Sequence, residues 1–294
     1  MKNKSKKKII FLFLYIFFII VILVSGIYII KFFLLRQEAI EESRLLNSII
    51  LENTDTNNNN SSQKESINKE AEIESDEKND EKETERMLKV DKLQEQNEDI
   101  VGWIEIENTN INYPVLQGDD NEYYLTHNYQ KEKTEKGSIF LDADYDWSIP
   151  GNNLLIYGHN LVNGQMFKDL LKYSEEEFYK EHPIIRFTTE KEDEEYEIIS
   201  AFKARVYYQS EENVFRYYNF LNSTSEAEYS KFIKNAKKVA LYDTGKTAEF
   251  GDELITLITC SYHTDDGRFV VIGRKNEWKT LSHLQRKRIH YMAT

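Results

Sequence analysis

Cys260 is the only cysteine in the 294-residue chain, so it has no intrachain partner for a disulfide. Taken alone, a cysteine on a strand is more often packed in a core than reactive. Its surroundings argue for chemistry. Cys260 closes the apolar stretch TLITC, and the chain passes through SYHTDDGR before a second apolar stretch begins. Asp265, Asp266 and Gly267 are turn formers, so the two stretches read as a β-hairpin with a loop of about seven residues. Pairing across that hairpin sets Arg268 beside Cys260. An arginine there stays charged, and can favour a thiolate or hold the oxyanion formed when sulfur attacks a carbonyl.

A nucleophilic cysteine needs an acid–base partner, usually histidine. Of the six histidines, His159 follows a strand-like run in NLLIYGHN, where Gly158 allows a sharp exit that sets the ring at a sheet rim. His263 competes, being three residues from Cys260 in the same hairpin. His182 precedes Pro183 and reads as a turn cap, His127 lies in a polar loop, and His283 and His290 fall in a basic tail. Residue types alone leave His159 and His263 both open.

Other chemistries find less support. No His pair has helical ligand spacing and one cysteine cannot build a thiolate cluster, so neither a metal nor a cofactor is expected. Glycine-rich phosphate loops are absent. The acidic run 190–195 (EKEDEE) reads as a solvated turn, with cation binding a minor alternative. A net charge of −13 argues against a nucleic-acid partner. The 19 Tyr and 16 Phe are expected to fill a core and line a groove.

The elements that must position these residues are mainly short strands. Candidates are 103–107, 110–116, 138–142, 153–157, 184–189, 195–208, 253–260 and 268–274, rich in Ile, Val, Tyr and Phe and often alternating with period two. Eight such strands suggest a sandwich or a barrel. A helix is expected over 225–240, opened by a Ser225–Glu228 capping box and amphipathic thereafter. A short helix is expected over 165–173, another is capped by Ser174 with Glu177, and 86–97 looks helical.

Upstream, residues 9–30 form an uncharged apolar run long enough at 1.5 Å per residue to span a bilayer core of about 30 Å. Five lysines precede it, so the positive-inside bias keeps residues 1–8 cytoplasmic and exports the rest. Residues 31–85 are expected to form an acidic extracellular stalk, within which 38–51 has near-helical apolar spacing. A catalytic domain (86–277) and a basic C-terminal tail (278–294) complete the organisation.

In this order the features resemble sortases: TLITC followed by an arginine opening the next strand, and YGHN upstream. NEDIVGWIEI (97–106), NEYYLTHN (121–128), GSIFLD (137–142), HN…MFKDL (159–170) and the helix at 225–240 are similar to class B members in particular. The resemblance covers about residues 86–277. It implies an eight-stranded β-barrel with an N-terminal helix and a helix before the Cys-bearing strand. It also implies a cysteine transpeptidase acting outside a Gram-positive membrane, without a cofactor. Cys260 would attack a Thr carbonyl in the sorting-signal pentapeptide of a surface protein, and His159 would exchange protons with the leaving and incoming amines. Arg268 would bind the substrate Thr and the oxyanion. Asn121 and Leu125 align with groove residues, Ile258 fills the variable position of the motif, and Thr259 buttresses the site. The acceptor would be an amine of a peptidoglycan precursor or cross-bridge. A pilin-polymerising or hydrolytic peptidase on the same fold, or a stalked adhesin, are the alternatives.

Overall fold

Strands that alternate apolar residues on both faces need something to cover each face, and that requirement organises this molecule. The computed structural model describes residues 14–30, 33–34, 37, 71–148 and 151–276. The chain forms two units, residues 1–58 and 59–294. In the first, residues 14–30 are helical. Among the described residues no helix is long and apolar enough to cross a membrane. Part of the expected span (9–13), the basic segment 1–8, most of the expected stalk including 38–51, and the tail with His283 and His290 lie outside the described residues.

In the second unit, helix α1 (Ala71–Gln94) begins well upstream of residue 86, within the segment expected to be a solvated stalk. Its Ala, Glu, Lys and Gln content favours helix intrinsically, which a reading based on low hydrophobicity overlooks. The last turns dock by Val90 and Leu93, both fully buried.

Eight strands follow: β1 (Ile100–Glu105), β2 (Asn112–Leu116), β3 (Ile139–Leu141), β4 (Asn153–Gly158), β5 (Ile184–Thr188), β6 (Asp193–Arg205), β7 (Leu254–Cys260) and β8 (Gly267–Lys275). They close into a barrel in the order β1-β2-β3-β4-β7-β8-β6-β5. The pairs β2/β3 and β4/β7 are parallel, and the others antiparallel. All eight strands send residues to an inner cluster, among them Ile104, Val115, Leu141, Ile156, Phe187, Leu257 and Val271. The 3₁₀ segment Phe167–Ser174, where a helix was expected over 165–173, adds Phe167, Leu170 and Tyr173 to it.

A second cluster covers the outside of β4, β6, β7 and β8. Leu155, Phe202, Ile258 and Val270 meet Tyr229, Phe232, Ile233 and Ala236 of helix α3 (Glu226–Val239). Burying each large side chain here contributes about 1.5–3 kcal/mol. A bulge between Ile198 and Ser200 resets the alternation of β6, so that Ile198 and Ala201 both face inward.

Two caps depart from expectation. Ser225 accepts from the Glu228 N–H as predicted, but the Ser225 N–H donates to Ser223 Oγ, so only half of the box forms. Helix α2 (Glu176–Glu181) has Glu175 at its N-cap with no side-chain cap, and Ser174 bonds the Glu175 carboxylate instead. The acidic run 190–195 is also not simply a solvated turn. Its turn is confined to 189–192, and Asp193 is buried in β6, bonded to Arg86, Arg186 and Thr188.

Candidate active site

Strand registers set the site. β7 and β8 pair Cys260 with Arg268, as the hairpin reading required. β4 and β7 run parallel with Gly158 opposite Thr259, so His159 and Cys260 are the next residues on neighbouring strands. Alternation decides the face. Leu155 and Tyr157 of β4, Ile258 of β7 and Val270 of β8 belong to or pack on the outer cluster. Cys260 and Arg268 share their parity and therefore the same outer face, while His159 leaves the end of β4 directly after Gly158. The hairpin pair Cys260 and Arg268 and the distant His159 thus lie at the same end of the sheet.

Gly158 is the last residue of β4, where the chain leaves the sheet, and close packing excludes a side chain there. A Cβ on it would lie 2.3 Å from Ile139 Cδ1 and 2.8 Å from Phe167 Cδ2. The left-handed residue of the β7–β8 loop is Asp266 (φ 52°), while a Cβ on Gly267 would lie 2.1 Å from the Ser261 carbonyl oxygen.

Around this end, His159 Nε2 lies 2.8 Å from the Leu125 carbonyl oxygen. A carbonyl only accepts, so Nε2 carries a proton and Nδ1 is left for proton exchange. Arg268 Nη1 donates to the Gly267 carbonyl at 3.0 Å. Thr259 Oγ1, buried, donates to the Gly158 carbonyl at 2.7 Å and ties β7 to β4 one residue below the site. Cys260 is partly exposed, so reagents can reach it.

The remaining expected residues divide. Leu125 touches the site through its backbone. Ile258 is buried at 2% exposure in the outer cluster, beneath the surface. Asn121 is one step removed: its amide donates to Asp142 Oδ2 and its Oδ1 accepts from the Ala143 N–H. Tyr157 OH donates to the same Asp142 oxygen at 2.7 Å, so Asn121 is linked to the strand that carries His159. His263, the competing histidine, sits in the β7–β8 loop with Nδ1 2.9 Å from Ser261 Oγ. Burial, with Lys203 assisting, pushes its pKa below the ordinary value. His182 caps α2 and bonds the Glu107 carbonyl, and His127 stacks on Tyr123.

Three residues escaped the sequence reading. Asp142 joins Asn121 to Tyr157, and Asn160 bonds the Cys260 backbone. Tyr217 is buried between helix α3 and the sheet, and its phenol is pushed well up, by burial first. The charge of Arg268 opposes that shift and Cys260 adds to it. Only Asn160, next to His159 in YGHN, carried a local signal.

A cavity of about 480 Å³ lies at the opposite end of the barrel, between Tyr145, Trp147, Tyr196, Glu194 and Lys275. None of the candidate residues borders it. Among the described residues no group of three or more His, Cys, Asp or Glu is arranged to hold a metal.

A barrel with a lone cysteine, histidine and arginine converging at its strand ends defines a class, and the comparisons agree with it. The family described as Sortase domain matches residues 104–276, and the chain belongs to the sortases, the cysteine transpeptidases built on this fold. Sortase B of Listeria monocytogenes is 34% identical over 184 residues, covering 62% of this chain and 72% of that protein. The Staphylococcus aureus sortase B–substrate complex superposes with a TM-score of 0.57 at 27% identity, covering 70% of this chain and 98% of that one. A sortase B complexed with triglycine gives 0.58 at 27% identity, with coverage of 69% and 98%. Within the family, the chain is a class B sortase.

Proposed function

We propose that Cys260 is the nucleophile and that it cleaves a sorting-signal pentapeptide of a surface protein after Thr. The sulfur attacks the Thr carbonyl carbon, and Arg268 holds the resulting oxyanion. Collapse breaks the C–N bond, the leaving amine takes its proton from His159, and a thioacyl enzyme remains. An amine of a peptidoglycan precursor or cross-bridge then attacks the thioester and passes its proton to His159. The C–S bond breaks and Cys260 is released. Asn121 and Leu125 bound the substrate groove, while Thr259 and Ile258 support it from below.

The observation carrying this reading is the pair of registers that set Arg268 opposite Cys260 and Gly158 opposite Thr259, one residue before His159 and Cys260 respectively. The substrate and triglycine complexes of related sortases B support the peptide and amine classes. The catalytic unit, residues 86–277, is held outside the membrane by a single span over 9–30 with the N-terminus inside, through the stalk 31–85.

The test uses the full chain, a library of sorting-type peptides and triglycine as acceptor. Mass spectrometry should capture a thioacyl adduct on wild-type enzyme and none on Cys260→Ala. His159→Ala should lower turnover about 10²–10⁴-fold and Arg268→Ala about 10²–10³-fold. Full turnover by Cys260→Ala would sink the assignment. Hydrolysis without aminolysis would rule out triglycine as the acceptor.

A further inference from the structure

The residue after His159 has no part in the reaction just described, yet it touches the nucleophile's backbone. Asn160 is 7% exposed, and its Nδ2 donates to the Cys260 carbonyl at 3.0 Å, across 100 residues of sequence. Its Oδ1 is buried without a hydrogen-bond partner. Since the Cys260 carbonyl can only accept, the orientation of the amide is determined. Leaving a buried amide oxygen unpaired is unfavourable, and a residue kept only for packing would avoid it.

The surrounding backbone is equally constrained. The Phe167 N–H donates to the His159 carbonyl at 2.9 Å, and Asn160 bridges Met166, whose φ is 56°. The Ser261 N–H donates to the Gly267 carbonyl at 2.9 Å. The peptide unit following Cys260 is thus gripped at its oxygen by Asn160 and at its nitrogen by Gly267. One grip comes from the segment that leaves β4 and carries the histidine, the other from β8, which carries the arginine.

We propose that Asn160 is a positioning residue for acyl transfer, locking the Cys260 backbone to the end of β4 so that sulfur and imidazole keep their relative placement. The inference rests on Cys260 as nucleophile and His159 as its partner. A misplacement of about 1 Å between reacting groups costs about 10²-fold in rate, with little effect on substrate affinity.

Because the chain has one cysteine, labelling with [1-¹³C]cysteine puts a single reporter carbonyl in the whole protein. The full chain in detergent is compared with Asn160→Ala, which loses donor and acceptor, and with Asn160→Asp, which keeps the shape and loses the N–H donor. In both variants the Cys260 carbonyl resonance should move upfield as its hydrogen bond is lost. The kcat per titrated thiol, using a peptide selected on the wild-type enzyme, should fall about 10–100-fold, with KM within about 3-fold. An unmoved resonance overturns the proposal. So does wild-type kcat in Asn160→Asp, which would mark a packing role, or a rise in KM at constant kcat. If wild-type enzyme forms no thioester at all, the nucleophile assignment itself fails, and that result is separate from any behaviour of the variants.

Discussion

At the scale of single residues, the site depends on hydrogen bonds below it as much as on the groups that face solvent. Thr259 is the clearest case, since its buried hydroxyl joins the strand of Cys260 to the strand of His159. Thr259→Val keeps the shape and leaves the Gly158 carbonyl without its side-chain donor. It should cost about 1–3 kcal/mol in urea unfolding and lower kcat more than it raises KM. An unfolding midpoint equal to wild type would show the bond to be dispensable. The facing of Cys260 by Arg268 was legible in the sequence because a short hairpin with recognisable turn residues fixes its own register. The contributions of Asn160, Asp142 and Tyr217 were not. They depend on parallel pairing between β4 and β7 and on the long connection before α3, where nothing local signals the neighbour. Gly158 shows the same limit, since its role is to admit Ile139 and Phe167, which no spacing rule reveals.

At the scale of elements, strands were easier to read than helices. All eight strands were found to within a few residues, because Ile, Val and Phe alternate and turns punctuate them. Helix α1 was half missed, since its polar N-terminal portion presents no apolar periodicity. What docks its other end is electrostatic as well as apolar. Arg86 bonds Asp193 of β6, and Lys89 Nζ stands 3.2 Å from the centre of the Trp103 ring of β1. Burial pushes the Lys89 ammonium down to about 8, with Glu105 and Glu85 opposing. Between about 8 and its unfolded value of about 10.4 the unfolded chain binds more protons, so stability rises with pH through that window. Below about 8 the full penalty applies. Lys89→Met should therefore be more stable than wild type at pH 7 by about 1–2 kcal/mol, after the lost cation–π contact, and the gap should close towards pH 10. A pH-independent difference would contradict this. Asp193 behaves in the opposite sense. Burial opposes its ionisation, but Arg86, Thr188 and Arg186 prevail and hold its pKa below the ordinary range. Its stabilisation is complete above about 3.9 and is lost as pH falls through the lower folded value.

At the scale of the whole molecule, the apolar run 9–30 should make the full chain partition with membranes and resist extraction by salt and alkaline carbonate, yielding only to detergent. A chain beginning after residue 36 should stay in the soluble fraction, and membrane retention of that shorter chain would place the anchor elsewhere. The barrel itself has a further consequence. Because its eight strands close on one another, the strands bearing Cys260 and Arg268 are hydrogen-bonded on both flanks and present no free edge. An extended peptide arriving at Cys260 therefore has no ladder of backbone groups to join and cannot dock as a ninth strand. Its selection falls to side chains and loop carbonyls that read it one residue at a time. This favours discrimination between similar short motifs over tight, sequence-blind capture of any unfolded segment.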